Sequence, residues 1–231
     1  MSPPDFTSVA ASVAHELGTP LSVVSLSLQL LRSELAARDA DTEEIELVDA
    51  ALRNLQLVEL QAGRLLDLDP DREPGLHLQR TDLTELIRLL VADLDRTLLI
   101  EHITRTVVPD ELVAEVDPSR IRQLLYTLLS NAAKYCPAGR TVVVTARQDG
   151  PDIVLAVRDE GHSVAPEGAE RLFERYERRR DDVPGAGLGL YLARRYAQAH
   201  GGELRLLPAD DDAGNTFEAR LPSPNGVVRG S

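Results

Sequence analysis

The sequence predicts an α-helical hairpin followed by an α+β sandwich, and three observations predict it. The first third carries apolar residues at helical spacing. A charged stretch rich in helix breakers then interrupts that pattern. Beyond it, short alternating segments of β character are interleaved with capped helices.

The hairpin is read first. Val9, Val13, Leu17, Leu21, Val24, Leu28, Leu31 and Leu35 recur at steps of mostly four, then alternate three and four. That is one face of a helix, here from about Asp5 to Ala37. Arg38-Asp39-Ala40-Asp41-Thr42 is a polar turn, with Thr42 as candidate N-cap. A second helix carries Ile45, Val48, Leu52, Leu55, Val58, Ala62 and Leu65. Two long helices with one apolar stripe each cannot close a core alone. Two copies packed as a four-helix bundle can, so a homodimer through residues 1–70 is expected. The alternative is a hairpin packed on its own C-terminal domain.

Residues 71–75 fall in the breaker-rich stretch Asp69-Pro70-Asp71-Arg72-Glu73-Pro74-Gly75 and read as a linker. The second domain, residues 76–231, begins with a short strand at Leu76–Arg80. Thr81 or Asp82 caps a helix running to about Arg96. Extended pieces follow near Ile100–Val108 and Leu112–Val116. Asp117-Pro118-Ser119 opens a helix with proline at its first position, and that helix runs to Tyr135. Thr141–Gln148 and Ile153–Arg158 alternate and are joined at Asp149-Gly150, a hairpin signal. Gly161 to Pro184 reads as loop. A helix from about Leu188 to His200 stops at Gly201-Gly202. Strands near Glu203–Leu207 and Thr216–Leu221 flank the acidic loop Asp210-Asp211-Asp212. Together these predict helices on one face of a mixed sheet.

The totals exclude several classes of function. Of 231 residues, 43% are hydrophobic, so a core can be buried, but aromatics are 3% and that core is Leu, Val and Ala. A net charge of -13 argues against nucleic acid as the main partner, because phosphate binding needs a basic face. The single cysteine, Cys136, excludes an internal disulfide and fits a reducing, cytoplasmic compartment. No run is long and apolar enough to span a membrane, and the N-terminus lacks the shape of a signal peptide, so no membrane contact is expected within this chain. Lys134 is the one lysine.

Four stretches carry residues suited to chemistry. In Val13-Ala14-His15-Glu16-Leu17-Gly18-Thr19-Pro20-Leu21, His15 lies off the apolar stripe, so its imidazole is expected at the surface. Glu16 adjoins it and Thr19 sits one turn on. Pro20 cannot donate to the Glu16 carbonyl, which loosens the helix beside the histidine. Taken alone, this is equally a surface histidine in a coiled-coil helix. Asn131-Ala132-Ala133-Lys134-Tyr135 places an amide and an ammonium on one helix face, suited to Mg²⁺ and to phosphate, with a tyrosine ring beside them. Asp159-Glu160-Gly161 sets a carboxylate at a strand end, able to accept from an exocyclic amine, with a glycine that permits close approach. Gly185-Ala186-Gly187-Leu188-Gly189-Leu190 opens a helix, and backbone N–H groups there suit phosphate. It is neither a P-loop nor a Rossmann turn. Each of the last three has an ordinary structural reading by itself: a solvated helix end, a strand-end turn, a glycine-rich turn.

In order and spacing, these stretches resemble the catalytic core of sensor histidine kinases. His15-Glu16-Leu17-Gly18-Thr19-Pro20-Leu21 is similar to their phosphoacceptor motif and Leu128 to Tyr135 to their asparagine motif. Asp159-Glu160-Gly161 is similar to the first glycine motif, Arg171-Leu172-Phe173-Glu174-Arg175-Tyr176 to the phenylalanine motif, and Gly185 to Leu190 to the second glycine motif. The resemblance implies a histidine-phosphotransfer hairpin and a Bergerat-type ATP-binding domain. It implies ATP and Mg²⁺, with Asn131 on the metal, Lys134 and Arg178 facing phosphates, and Asp159 reading adenine. Tyr135, Gly161, Gly185, Gly187, Leu188 and Gly189 would complete the nucleotide site. The region between Gly161 and Gly187 would be a mobile lid, its base anchored by Phe173, which is equally a plain core aromatic. His15, Glu16 and Thr19 would be catalytic, and the partner would be a response regulator.

Three residues depart from the family pattern. Gly18 stands where a basic or amide residue is usual, and glycine in mid-helix costs about 1 kcal/mol against alanine. Thr127 replaces the usual first asparagine, and Ser163 the second glycine of the first glycine motif. The weakened lid motif supports one alternative, a nucleotide-binding dimeric scaffold without kinase activity; a second, a related ATPase that forms no phosphohistidine, is opposed by the N-terminal hairpin and its histidine motif.

Overall fold

A computed structural model describes residues 6–38, 41–66, 74–177, 187–208, 214–223 and 227–229, with side chains of the first helix described from Pro20 onward. The chain divides into two compact units, Met1–Glu73 and Pro74–Ser231.

The first unit is two helices, α1 (Phe6–Ala37) and α2 (Thr42–Leu66), packed against each other. The helix α1 continues through Pro20. Arg32 and Asp49 form an ion pair from either side of the connection, so the helices run antiparallel. The start of α2 differs from expectation. Thr42 lies inside the helix, and it is the Asp41 carbonyl that accepts from the Ile45 N–H. Among the described residues of the hairpin, the apolar side chains that are buried are Val48 and Leu55. Val23, Val24, Leu26, Leu30, Leu31 and Leu47 are exposed, so one hairpin leaves much apolar surface unburied.

The second unit holds two sheets where the sequence predicted one. The larger has strand order β2-β4-β5-β7-β6, from β2 (Ile103–Val107), β4 (Thr141–Asp149), β5 (Asp152–Asp159), β6 (Glu203–Leu207) and β7 (Asn215–Pro222). Its β2–β4 pair is parallel and the others antiparallel. The smaller joins β1 (Gln79–Asp82), β3 (Glu111–Val116) and β8 (Val227–Arg229) in antiparallel order. Strand β1 starts three residues later than the sequence predicts. Its position follows its partner, since Gln79 to Asp82 pair with Val116 to Val113.

Helices α3 (Leu83–Asp95), α4 (Pro118–Tyr135) and α6 (Gly189–Ala199) supply the rest of the core. Asp82, rather than Thr81, caps α3, accepting from the Glu85 N–H at 3.1 Å. The helix α4 packs on β5, and α6 packs on β6, β7 and α4. Between helices and sheet lie Leu124, Leu128, Val144, Leu155, Leu192, Leu204 and Ala219, all fully buried. The region predicted as loop contains a short helix, α5 (Pro166–Ala169), and a 3-10 turn, Glu170–Phe173.

Helices α4 and α6 are antiparallel and tied at one end. Asp117 caps α4, and its own N–H donates to His200 Nε2 at 3.0 Å, just past the end of α6. Since Nε2 accepts, the ring hydrogen sits on Nδ1, which donates to the Tyr196 carbonyl at 2.7 Å. Asp117 also accepts from the His77 N–H at 2.8 Å, joining the entering chain to both helices. At the start of α6, a Cβ on Gly189 would come 3.1 Å from the methyl of Thr127, near the middle of α4.

Candidate functional site

The candidate site lies where α4 ends, β5 ends and α6 begins. The C-terminal turns of α4 carry Asn131 and Tyr135, half-buried, and Lys134, exposed. Strand β5 delivers Asp159 to the same place, nearly inaccessible at 4% exposure. Its Oδ1 accepts the Gly161 N–H at 2.8 Å and the Asn215 side-chain amide at 3.1 Å. A buried carboxylate held this way offers acceptors only, the chemistry that suits a ligand N–H.

Gly161 has no room for a side chain. A Cβ there would stand 2.6 Å from Asp159 Oδ1, 3.0 Å from the Tyr135 carbonyl and 3.4 Å from the Cys136 Cα. The first glycine motif therefore abuts the end of the asparagine helix directly. Glu160, unlike Asp159, is exposed. Its carboxylate accepts the Thr141 N–H at 3.0 Å, and that bond holds it below the usual glutamate range, outweighing the opposing effect of desolvation. Cys136 packs beside the same loop, and burial pushes its thiol up from 9.0.

The glycine-rich segment is described from Gly187. Gly187 has φ +66°, and a Cβ there would strike the Tyr176 backbone and the Glu177 carbonyl. Its own carbonyl accepts the Tyr176 N–H at 2.9 Å. Leu188 precedes the first turn of α6 and makes no side-chain cap, so helix N–H groups beyond it have no side-chain acceptor from Leu188. Tyr176 itself has positive φ, 64°, and the Arg175 guanidinium lies over both the Tyr176 and Tyr191 rings. The base of the expected lid is thus fastened to α6.

Both departures in this unit have structural uses. Thr127 is buried, its hydroxyl donating to the Gln123 carbonyl at 2.9 Å while its methyl packs toward Gly189. Ser163 donates to the Gly214 carbonyl at 3.2 Å, tying the loop after β5 to the residue that precedes β7. Phe173 is a core aromatic. It is 4% exposed and meets the Phe217 ring edge-on at 6.3 Å, with Arg194 over its face.

Of the residues predicted from sequence, Asn131, Lys134, Tyr135, Asp159 and Gly161 sit around one end of α4, with Gly187, Leu188 and Gly189 opening the helix packed against it. Arg178 and Gly185 lie outside the described residues. His15, Glu16 and Thr19 fall within α1, and their side chains lie outside the described ones. Among the described residues, no three His, Cys, Asp or Glu side chains cluster to hold a metal. No described helix is long and apolar enough to cross a membrane. Sequence reasoning missed Asn215 and Gly214. The Gly-Asn pair opening a strand was the available signal, but nothing local reveals that Asn215 stands opposite Asp159.

Comparison with known proteins follows the same division. Residues 7–71 match the His Kinase A (phospho-acceptor) domain family. Residues 116–225 match the histidine kinase-, DNA gyrase B- and HSP90-like ATPase family. Histidine protein kinase DivJ of Caulobacter vibrioides is 30% identical over 228 residues, covering 92% of this chain and 36% of DivJ. Sensor-like histidine kinase SenX3 of Mycobacterium tuberculosis is 34% identical over 230 residues, covering 92% of this chain and 53% of SenX3. The chain thus spans about a third to a half of the length of the curated relatives it matches. Among solved structures, the mycobacterial sensor histidine kinase MprB aligns with TM-score 0.57 at 28% identity, over 64% of this chain and 98% of that one. Full-length ShkA, solved with AMPPNP, aligns with TM-score 0.60 over 97% of this chain and 47% of that one, at 24% identity, a likeness of fold.

Proposed function

The chain belongs to the sensor histidine kinase family, and from that premise we propose that it uses ATP to phosphorylate His15 and passes the phosphoryl group to an aspartate of a response regulator. In this reading, residues 1–70 are the dimerising phosphotransfer hairpin, 71–75 the linker and 76–231 the ATP-binding domain. The observation that carries the proposal is the convergence, on the C-terminal half of α4, of three motifs far apart in sequence. Gly161 abuts Tyr135 and Cys136, and Gly189 abuts Thr127.

The residues divide the work by their chemistry. Asp159 accepts the exocyclic amine of adenine, and Gly161 gives the base room. Lys134 and Arg178 neutralise phosphate, while Gly185, Gly187, Leu188 and Gly189 present backbone N–H groups to it. Asn131 offers one amide oxygen to Mg²⁺. This fits a site with no carboxylate cluster among its described residues, because Mg²⁺ is commonly held by substrate phosphates, water and few protein ligands. Bound there, Mg²⁺ would offset charge on the transferring phosphoryl group. A neutral His15 nitrogen attacks the γ-phosphorus, the bond to the β–γ bridging oxygen breaks, and ADP leaves. Glu16 orients the ring through its other N–H and takes that proton. Thr19 orients water for removing phosphate from the regulator. The exposed leucines and valines of the hairpin support a homodimer, in which a second copy covers them.

Incubation of the chain with γ-labelled ATP tests the proposal. Acid-labile label on the wild type and none on His15→Gln is expected. An unlabelled wild type that still binds ATP would point to the scaffold, and ATP turnover without self-labelling would point to an ATPase of the same superfamily.

A further inference from the structure

We propose that Asn215 is a positioning residue that sets the base preference of the nucleotide site by clamping the Asp159 carboxylate and the first glycine loop into one unit. The inference rests on the reading of Asp159 as the adenine acceptor and adds a residue that this reading does not contain.

The register of the sheet brings the two together. Asp159 is the last residue of β5 and Asn215 the first of β7, and they pair directly across the ladder. Both are 4% exposed. A side-chain amide buried this deeply must have its hydrogen bonds satisfied, and here its partners account for them. Asn215 Oδ1 accepts the Val164 N–H at 2.9 Å. Asn215 Nδ2 donates to Asp159 Oδ1 at 3.1 Å and to the His162 carbonyl at 3.1 Å. These partners also fix which way the amide points. A backbone N–H can only donate, while a carbonyl and a carboxylate oxygen here accept, so a flipped amide would face three mismatches.

The clamp therefore grips the loop at two points, His162 and Val164, and the carboxylate at a third. Gly214 completes it. With φ +89° and a Cβ that would overlap the Asp159 carbonyl, it lets the strand start close against the end of β5. Ser163 adds its bond to the Gly214 carbonyl. With Oδ1 already accepting from Gly161 and Asn215, the carboxylate is locked in one rotation as an acceptor. An acceptor suits the amine of adenine and opposes the carbonyl of guanine at the same position. A residue that merely supported the fold would change ATP and GTP binding together. A residue that orients Asp159 changes their ratio.

Calorimetric titration of the full chain with ATP and with GTP, each with magnesium, separates these roles. The variants are Asn215→Ser, Asn215→Asp and Asp159→Asn, with melting temperatures recorded without nucleotide. Asn215→Ser keeps a small polar group but cannot span the carboxylate, His162 and Val164. It should lower the ATP-over-GTP preference about tenfold or more, mainly through weaker ATP binding. Asn215→Asp puts an oxygen opposite Asp159 Oδ1, where two carboxyls must share a proton. The donor that fixes the carboxylate's rotation is lost and the shared proton is held within the pair, so the ATP-over-GTP preference should fall here too. If Asp159→Asn erases the preference while both Asn215 variants keep the wild-type ratio, whatever their absolute affinities, the clamp role is overturned and the reading of Asp159 stands. If Asp159→Asn keeps the wild-type ratio, or the wild type shows no preference, the adenine reading itself fails and the inference falls with it.

Discussion

Replacing Gly161 with alanine places a methyl group where the structure leaves none. The added carbon would sit 2.6 Å from Asp159 Oδ1, about 0.8 Å inside an ordinary contact of 3.4 Å. It would also stand 3.0 Å from the Tyr135 carbonyl, at the rigid end of α4. Neither neighbour yields easily. The carboxylate is held by the Gly161 N–H and by Asn215, and the carbonyl belongs to the helix backbone. Relieving such overpacking costs about 1–3 kcal/mol, and losing the Gly161–Asp159 hydrogen bond adds about 1 kcal/mol. The expected destabilisation is therefore about 2–4 kcal/mol. At about 2–4 °C per kcal/mol for a domain of this size, the melting temperature should fall by roughly 5–15 °C. Because any escape moves Asp159, ATP affinity should fall at least tenfold, a loss of about 1.4 kcal/mol or more. Gly168→Ala is the control. Its nearest neighbour is the Val164 Cγ1 at 3.8 Å, so alanine fits and is expected to be neutral or slightly stabilising. Thermal melts of the three proteins, with and without ATP, decide the matter. If Gly161→Ala melts within about 1 °C of the wild type and binds ATP equally well, the contact argument is wrong.

Two further outcomes follow from titratable groups. Burial pushes the Asp117 carboxyl up, but the His77 N–H, the Ser119 hydroxyl and the N–H groups of Arg120 and Ser119 outweigh it, and its pKa falls below 3.8. A lowered carboxylate stabilises the fold fully above its ordinary value and loses that contribution as pH drops through the folded one. Asp117→Asn turns a donor toward His77, so it should cost about 1–3 kcal/mol in urea unfolding at pH 7. That gap should narrow at pH 3, and a gap unchanged between the two pH values would contradict the assignment. Burial holds the Cys136 thiol protonated, so a disulfide reagent should label it slowly in native protein at pH 7.5 and rapidly after unfolding. Rapid native labelling would show that the cysteine is exposed and reactive, contrary to its burial.

Local chemistry was readable without coordinates because its causes lie within a few residues. Aspartate before Pro118 caps α4, Asp149-Gly150 turns the hairpin of β4 and β5 with Gly150 at φ +60°, and glycines 201 and 202 end α6. Apolar spacing marked both helices of the hairpin, and the ordered motifs marked the family. Pairing between distant segments was not readable, since strand register depends on partners tens of residues away. That is why β1 begins at Gln79, why β3 joins β1 and β8 in a second sheet, and why the short β8 went unpredicted. It is also why Asn215 escaped notice. In sequence it is one polar residue beside a glycine, 56 positions from Asp159. Only the closing of β7 on β5 makes it a neighbour of the carboxylate, and burial then obliges every polar atom of its amide to find a partner.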